Sequence, residues 1–177
     1  MRPGRLTGSL AGFLAVLVSL SLVTGAQAAP AAPRVGVTSF ERLPQPLPLP
    51  FNPKANAKKD VEAARQKAMR EGKLLLIELG GNWCVSCRRF AGTLKLAPMK
   101  RFMDRHFTMA LVDVGRFDKN LAIPRHYDVD QLPGLPVVMV IDPRSDQLLN
   151  EGEMSVFAHL PRSNPQAIAN WLAQWAD

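Results

Sequence analysis

The chemistry available to this chain is concentrated in Cys84 and Cys87, its only cysteines, which enclose just Val85 and Ser86. A disulfide between them closes a loop too small to restrain the unfolded chain much, so a structural staple is a poor use of this spacing. Short loops of this kind are where strained, reducible disulfides occur. The same spacing is half of a zinc site, for which His106, His126 and His159 are the available nitrogen ligands, although none is spaced as a partner pair. The two cysteines stand where the apolar run Leu74 to Leu79, closed by Gly80 and Gly81, gives way to helical spacing. A thiol in the first turn of a helix faces backbone N–H groups that favour its anion, which brings its pKa towards about 7 or below. Cys84 is therefore the expected nucleophile. Cys87, one turn further in and less exposed, is placed to attack a mixed disulfide and release the partner. Arg88 and Arg89 either add positive charge beside the pair or are simply solvated.

Such a pair needs a strand behind it and a helix in front. Leu74-Leu-Leu-Ile-Glu-Leu79 lacks the polar alternation of a half-exposed strand and reads as one covered on both faces. Before it, Val61, Ala64, Ala68 and Met69 recur at helical steps, with Gly72 where a C-terminal cap belongs. After the cysteines, helical spacing runs through Phe90, Leu94, Phe102 and Met103 to about Arg105, with Pro98 forcing a kink or a restart. Phe107 to Val114 reads as a second buried strand, and Asp118 is expected to cap a short helix running towards Tyr127. Gln131 to Pro136 forms a turn that launches the strand Val137 to Ile141, and Leu148 to Glu151 pairs back as a hairpin strand. Ser163 or Asn164 caps a last helix, with Pro165 at its first position and Ile168, Trp171, Leu172 and Trp175 as its apolar stripe. The order implies an α/β fold of one domain: a βαβ-type core with an antiparallel edge, its central mixed β-sheet flanked by helices.

The segment from Gly80 to Cys87 resembles the active site of the thioredoxin superfamily, in which Trp-Cys-x-x-Cys follows a core strand. Trp83 directly precedes Cys84, and Gly134-Leu135-Pro136 is similar to the family's Gly-Ile-Pro loop, whose proline is cis and lies against the dithiol. Glu78 stands six residues before Cys84, where many members keep a buried aspartate that relays a proton to the second cysteine. The resemblance covers roughly Ala57 to Asp177. It implies a thioredoxin fold, with Cys84, Cys87 and Glu78 as catalytic residues and Trp83, Leu135 and Pro136 in contact with substrate. Cys-Val-Ser-Cys and the lead-in from Gly72 to Leu79 are closer to the C-terminal domain of the membrane thiol transporter DsbD than to cytoplasmic thioredoxin. That likeness implies reduction of protein disulfides.

The rest of the chain bounds where this chemistry would act. Arg2 and Arg5, the apolar run Leu10 to Val23 and the small-x-small stretch Ala26-Gln27-Ala28 form a secretory leader, with cleavage expected after Ala28. The run is shorter than the roughly 20 apolar residues of a membrane span. The expected product is periplasmic, without stable membrane insertion. Residues 29–56 form a proline-rich arm, holding seven of the fifteen prolines between 30 and 53, and act as a stiff linker or a wrap over the domain at 57–177. Val35 to Ser39 reads as an edge strand. The formal charge of +7 comes from basic residues spread along the chain, which gives nucleic-acid binding little support. Expected partners are protein disulfides and a membrane or periplasmic thiol donor, with no cofactor beyond the Cys84–Cys87 pair and no metal. The alternatives are a copper or metallocentre-assembly binding protein of the same fold, and a disulfide oxidase or isomerase.

Overall fold

Consecutive leucine and isoleucine from Leu74 to Ile77 leave a strand without a solvent side, and β1, Leu74–Gly80, is buried along its whole length at the centre of the sheet. The computed structural model describes residues 30–158 and 164–176, with Gly4 alone before them. The four-stranded sheet has the order β2-β1-β3-β4. β2, Phe107–Asp113, runs parallel to β1 with Leu74 opposite Phe107 and Gly80 opposite Asp113. β3, Val137–Asp142, is antiparallel to β1 with Glu78 opposite Val138, and β4, Gln147–Leu148, continues the antiparallel edge.

Helices cover both faces. α1, Ala57–Glu71, starts on the Asn56 side chain, which accepts the Lys59 N–H at 3.1 Å, and stops at Gly72 in the left-handed region. α2, Val85–Leu94, and α3, Ala97–His106, are separate helices, because Pro98 lacks an N–H and suits only a first turn. α4 is the single turn Ala122–Arg125. α5, Pro165–Trp175, is capped by Asn164, which accepts the Ala167 N–H at 3.0 Å. Leu74, Leu76, Val138 and Val140 face Phe90, Phe102, Ile168 and Leu172 on one side of the sheet. Leu75, Ile77, Leu79 and Met139 pack with Ala68 and Val112 on the other.

Three sequence expectations change. Val35 to Ser39 forms no strand; Val35 buries its side chain and donates its N–H to Gln166 Oε1 at 3.1 Å. Asp118 does not cap a helix, because its carboxylate accepts the Arg116 N–H two residues back, and α4 begins at Ala122 after Leu121, without a side-chain cap. The last strand is two residues long because Asn150 takes over the pairing. Its buried side chain accepts the Val140 N–H and donates to the Val138 carbonyl, both at 2.8 Å. The expected leader, His159 and Ser163 lie outside the described residues.

The proline-rich segment wraps the domain. After a 3-10 turn at Phe40–Arg42 and a cis Gln45–Pro46 peptide, it carries Phe40, Leu43 and Phe51 into the core. Among the described residues, no helix is long and apolar enough to cross a membrane.

Candidate functional site

The β1 strand ends at Gly80, and a tight turn in which the Cys84 N–H donates to the Gly81 carbonyl at 3.0 Å swings the chain into α2. Cys84 is the N-cap of α2, and its Sγ accepts the Cys87 N–H at 3.1 Å. A sulfur there occupies the place an N-cap oxygen usually takes, against the positive end of the helix. Cys84 and Cys87 are joined as a disulfide with Cα atoms 5.3 Å apart. Cys84 keeps 6% of its surface exposed and Cys87 none, so an incoming partner has access to Cys84 alone.

The loop before β3 closes over the pair. The Leu135 carbonyl lies 3.6 Å from Cys84 Sγ, and the Leu135–Pro136 peptide is cis. A bonded sulfur has no proton to donate, so this is a contact in the oxidised protein and an acceptor for the Cys84 thiol after reduction. Leu135 and Pro136 are both buried, in the loop that packs against the disulfide. A Cβ at Gly134 would stand 2.7 Å from Ala158 Cβ, so the loop seats there only with glycine.

Trp83 is 45% exposed beside Cys84, and its indole N–H donates to the Gly115 carbonyl at 2.6 Å. Phe117 meets it edge-on at 6.3 Å, and the Arg116 guanidinium lies over its ring at 4.8 Å. Phe117 has φ 68, a left-handed conformation that costs a bulky L residue about 1–2 kcal/mol. The turn is held by donation of the Phe117 and Asp118 N–H groups to the Val114 carbonyl. Strain that presents an exposed aromatic beside a reactive group is the kind retained at functional surfaces. A hollow of about 460 Å³ opens next to the indole, lined by Pro53, Asn82, Asp113, Arg116 and Lys119 among others.

Glu78 is completely buried on the face of β1 that also carries Leu74 and Leu76, and among the described residues neither carboxyl oxygen has a hydrogen-bond partner. Burial alone pushes its pKa well above the ordinary carboxylate value, which favours the neutral acid. No hydrogen bond joins it to either sulfur.

Sequence reasoning missed Phe51, Asn82 and Phe117. Asn82 accepts the Phe51 N–H at 3.0 Å and donates to the Phe51 carbonyl at 2.7 Å, fastening the arm two residues before Cys84. Arg88 and Arg89 are bound to the arm rather than solvated: Arg88 donates to the Leu47 and Pro48 carbonyls, and Arg89 pairs with Glu41 at 3.2 Å. The pairing of Asn82 with an aromatic thirty-one residues upstream has no local signal in the sequence. His106 stacks on Phe102 and His126 bonds Asp146 at 2.8 Å. Among the described residues, no group of three or more His, Cys, Asp or Glu is arranged to hold a metal.

A thioredoxin-like family model matches residues 56–143. The chain is similar to the crystal structure of a disulphide isomerase from Xylella fastidiosa Temecula1, with 27% identity and a TM-score of 0.67 over 73% of this chain and 98% of that one. A protein of unknown function from Pseudomonas aeruginosa aligns at 17% identity and a TM-score of 0.40, over 68% of this chain and 83% of that one. No curated protein matches. A Cys-x-x-Cys disulfide in this fold supports thiol:disulfide oxidoreductase chemistry. With a mixed sheet that sets this pair at a strand-to-helix junction, inside the region matched by the thioredoxin-like model, the chain belongs to the thioredoxin superfamily.

Proposed function

We propose that this protein is an exported, periplasmic thiol:disulfide oxidoreductase that reduces protein disulfides through Cys84 and Cys87. One observation carries the reading: a sulfur at the mouth of α2, bonded to its neighbour and accepting a helix N–H at 3.1 Å, is the more accessible of the pair. In the reduced protein the same N–H favours the Cys84 thiolate. That thiolate attacks one sulfur of a client disulfide, forming a mixed disulfide and releasing the other client sulfur as a thiolate. Cys87 then loses its proton and attacks Cys84 Sγ; the Cys84–Cys87 bond forms, and the second client sulfur leaves. In this scheme Glu78 takes the Cys87 proton only from its carboxylate form, returning to the neutral acid that burial favours, and Trp83 with the Leu135–Pro136 loop receives the client chain. A membrane or periplasmic thiol donor restores the dithiol, and no metal or further cofactor takes part. The leader pattern of residues 1–28 supports export.

The Xylella neighbour is named an isomerase, which favours a second reading in which the same site reshuffles disulfides. Direction follows from the reduction potential of the pair: a value near about -270 mV makes it a reductant and one near about -120 mV an oxidant. The primary test is reduction of insulin disulfides with dithiothreitol, run beside a copper titration of the reduced protein. Turnover with wild type, together with covalent trapping of partners by Cys87→Ala, is expected. Absent turnover with tight one-to-one copper binding would replace this assignment with a metal-binding one.

A further inference from the structure

The family match begins at residue 56, yet Phe51, packed in the same buried cluster as Cys87, lies upstream of it. A Cβ added at Gly80 would come within 2.6 Å of Phe51 Cζ and 2.8 Å of Cys87 Sγ, so ring, strand end and sulfur meet without room for a side chain between them. Phe51 is 3% exposed. More than apolar contact holds it, because the Asn82 amide takes both backbone groups of Phe51 at 3.0 and 2.7 Å. Arg88, the residue after Cys87, donates to the carbonyls of Leu47 at 3.1 Å and Pro48 at 3.3 Å. Gly92, one turn later, leaves the space that Leu43, Leu47 and Pro48 approach, at 3.2 to 3.7 Å from where its Cβ would stand. Gly80, Asn82, Arg88 and Gly92 thus bracket the Cys-x-x-Cys segment, and each one accommodates the arm.

We propose that Phe51, pinned by Asn82, is a positioning residue of the dithiol that seals Cys87, so that external disulfides and thiols exchange with the site through Cys84 alone. The inference deepens the exchange reading and rests on it for the role of Cys87. With the seal in place, the only disulfide Cys87 reaches is the one on Cys84. The bond it forms is the intramolecular one, the bond it breaks is that between Cys84 and the client, and the client thiolate leaves to take up a proton from solvent.

The test measures the rate of alkylation by iodoacetamide in the reduced full-length protein, reading Cys87 in a Cys84→Ser background and Cys84 in a Cys87→Ser background. Phe51→Ala is expected to raise the Cys87 rate about tenfold or more while the Cys84 rate stays within about twofold, and Phe51→Leu to keep Cys87 slow. Asn82→Ala removes the pin without emptying the core, so it reads the same ratio if Phe51→Ala does not fold. General loosening of the fold would raise both sulfurs together. An unchanged Cys87 rate in the folded variants, or an equal rise at both sulfurs, overturns the proposal. Alkylation needs no client, so loss of insulin turnover in wild type sinks the exchange reading separately, and a Cys87 rate indifferent to Phe51 leaves that reading standing.

Discussion

Glu78 is a fully buried acid with no hydrogen-bond partner among the described residues, in a strand whose other positions are apolar. Leaving such a group unsatisfied costs about 1–3 kcal/mol, which makes a purely structural role expensive. Its raised pKa fixes the sign of a pH effect. In the unfolded chain it titrates near the ordinary glutamate value of 4.5, whereas in the folded chain it holds its proton to higher pH. Between those two values the native state binds the extra proton, so the contribution of Glu78 to stability falls as pH rises through that window. Glu78→Gln carries no such proton, and the difference in urea midpoint between variant and wild type should grow in favour of the variant from about pH 5 upward. Parallel profiles would remove the buried-acid account. The variant should also hold mixed disulfides longer if Glu78 takes the Cys87 proton, which quenched single-turnover gels would read. The sequence placed an acid at this position, but its isolation comes from neighbouring strands: Glu78 faces Leu111 and Val138 across the ladders.

At the scale of elements, α2 is capped by the atom that does the chemistry. Serine is a strong N-cap, and its oxygen can accept the Cys87 N–H in place of the sulfur. Cys84→Ser should therefore match reduced wild type in thermal stability to within about 1 kcal/mol while losing insulin reduction entirely. A large loss of stability would mean that the cap is not the local determinant of α2. The sheet edge gives the opposite case, where a side chain replaces backbone. Asn150 satisfies a buried N–H of Val140 and a buried carbonyl of Val138, so Asn150→Ala leaves both without partners and should cost about 2–4 kcal/mol in denaturant unfolding. The sequence reads a hairpin strand from Leu148 to Glu151; that the strand is two residues, Gln147–Leu148, followed by one asparagine side chain was decided by the bend after Leu148.

The whole molecule depends on a segment that composition alone marks as a linker or a wrap. Val35, Phe40, Leu43 and Phe51 are buried N-terminal to α1, and each such side chain is worth about 1.5–3 kcal/mol as an upper figure. Together they rival the whole net stability of about 5–15 kcal/mol typical of a domain. A fragment starting at Asn56, the first residue of the family match, should consequently lack a cooperative melting transition, which calorimetry would check; a native-like melt would show the arm to be dispensable. By itself the sequence determined the order of helices and strands, the cap at Gly72, and the pair of thiols at the start of a helix, and it narrowed the last cap to Ser163 or Asn164. These depend on neighbours within a few residues, on the period of the apolar pattern, and on special residues such as glycine and proline. Tertiary structure decided that the arm lies on α2, that Phe51 and Cys87 both close on Gly80, and that Phe117 stands against Trp83. Those contacts join residues more than thirty positions apart, and no local pattern of apolar or polar types specifies which distant aromatic fills a gap left by a missing Cβ.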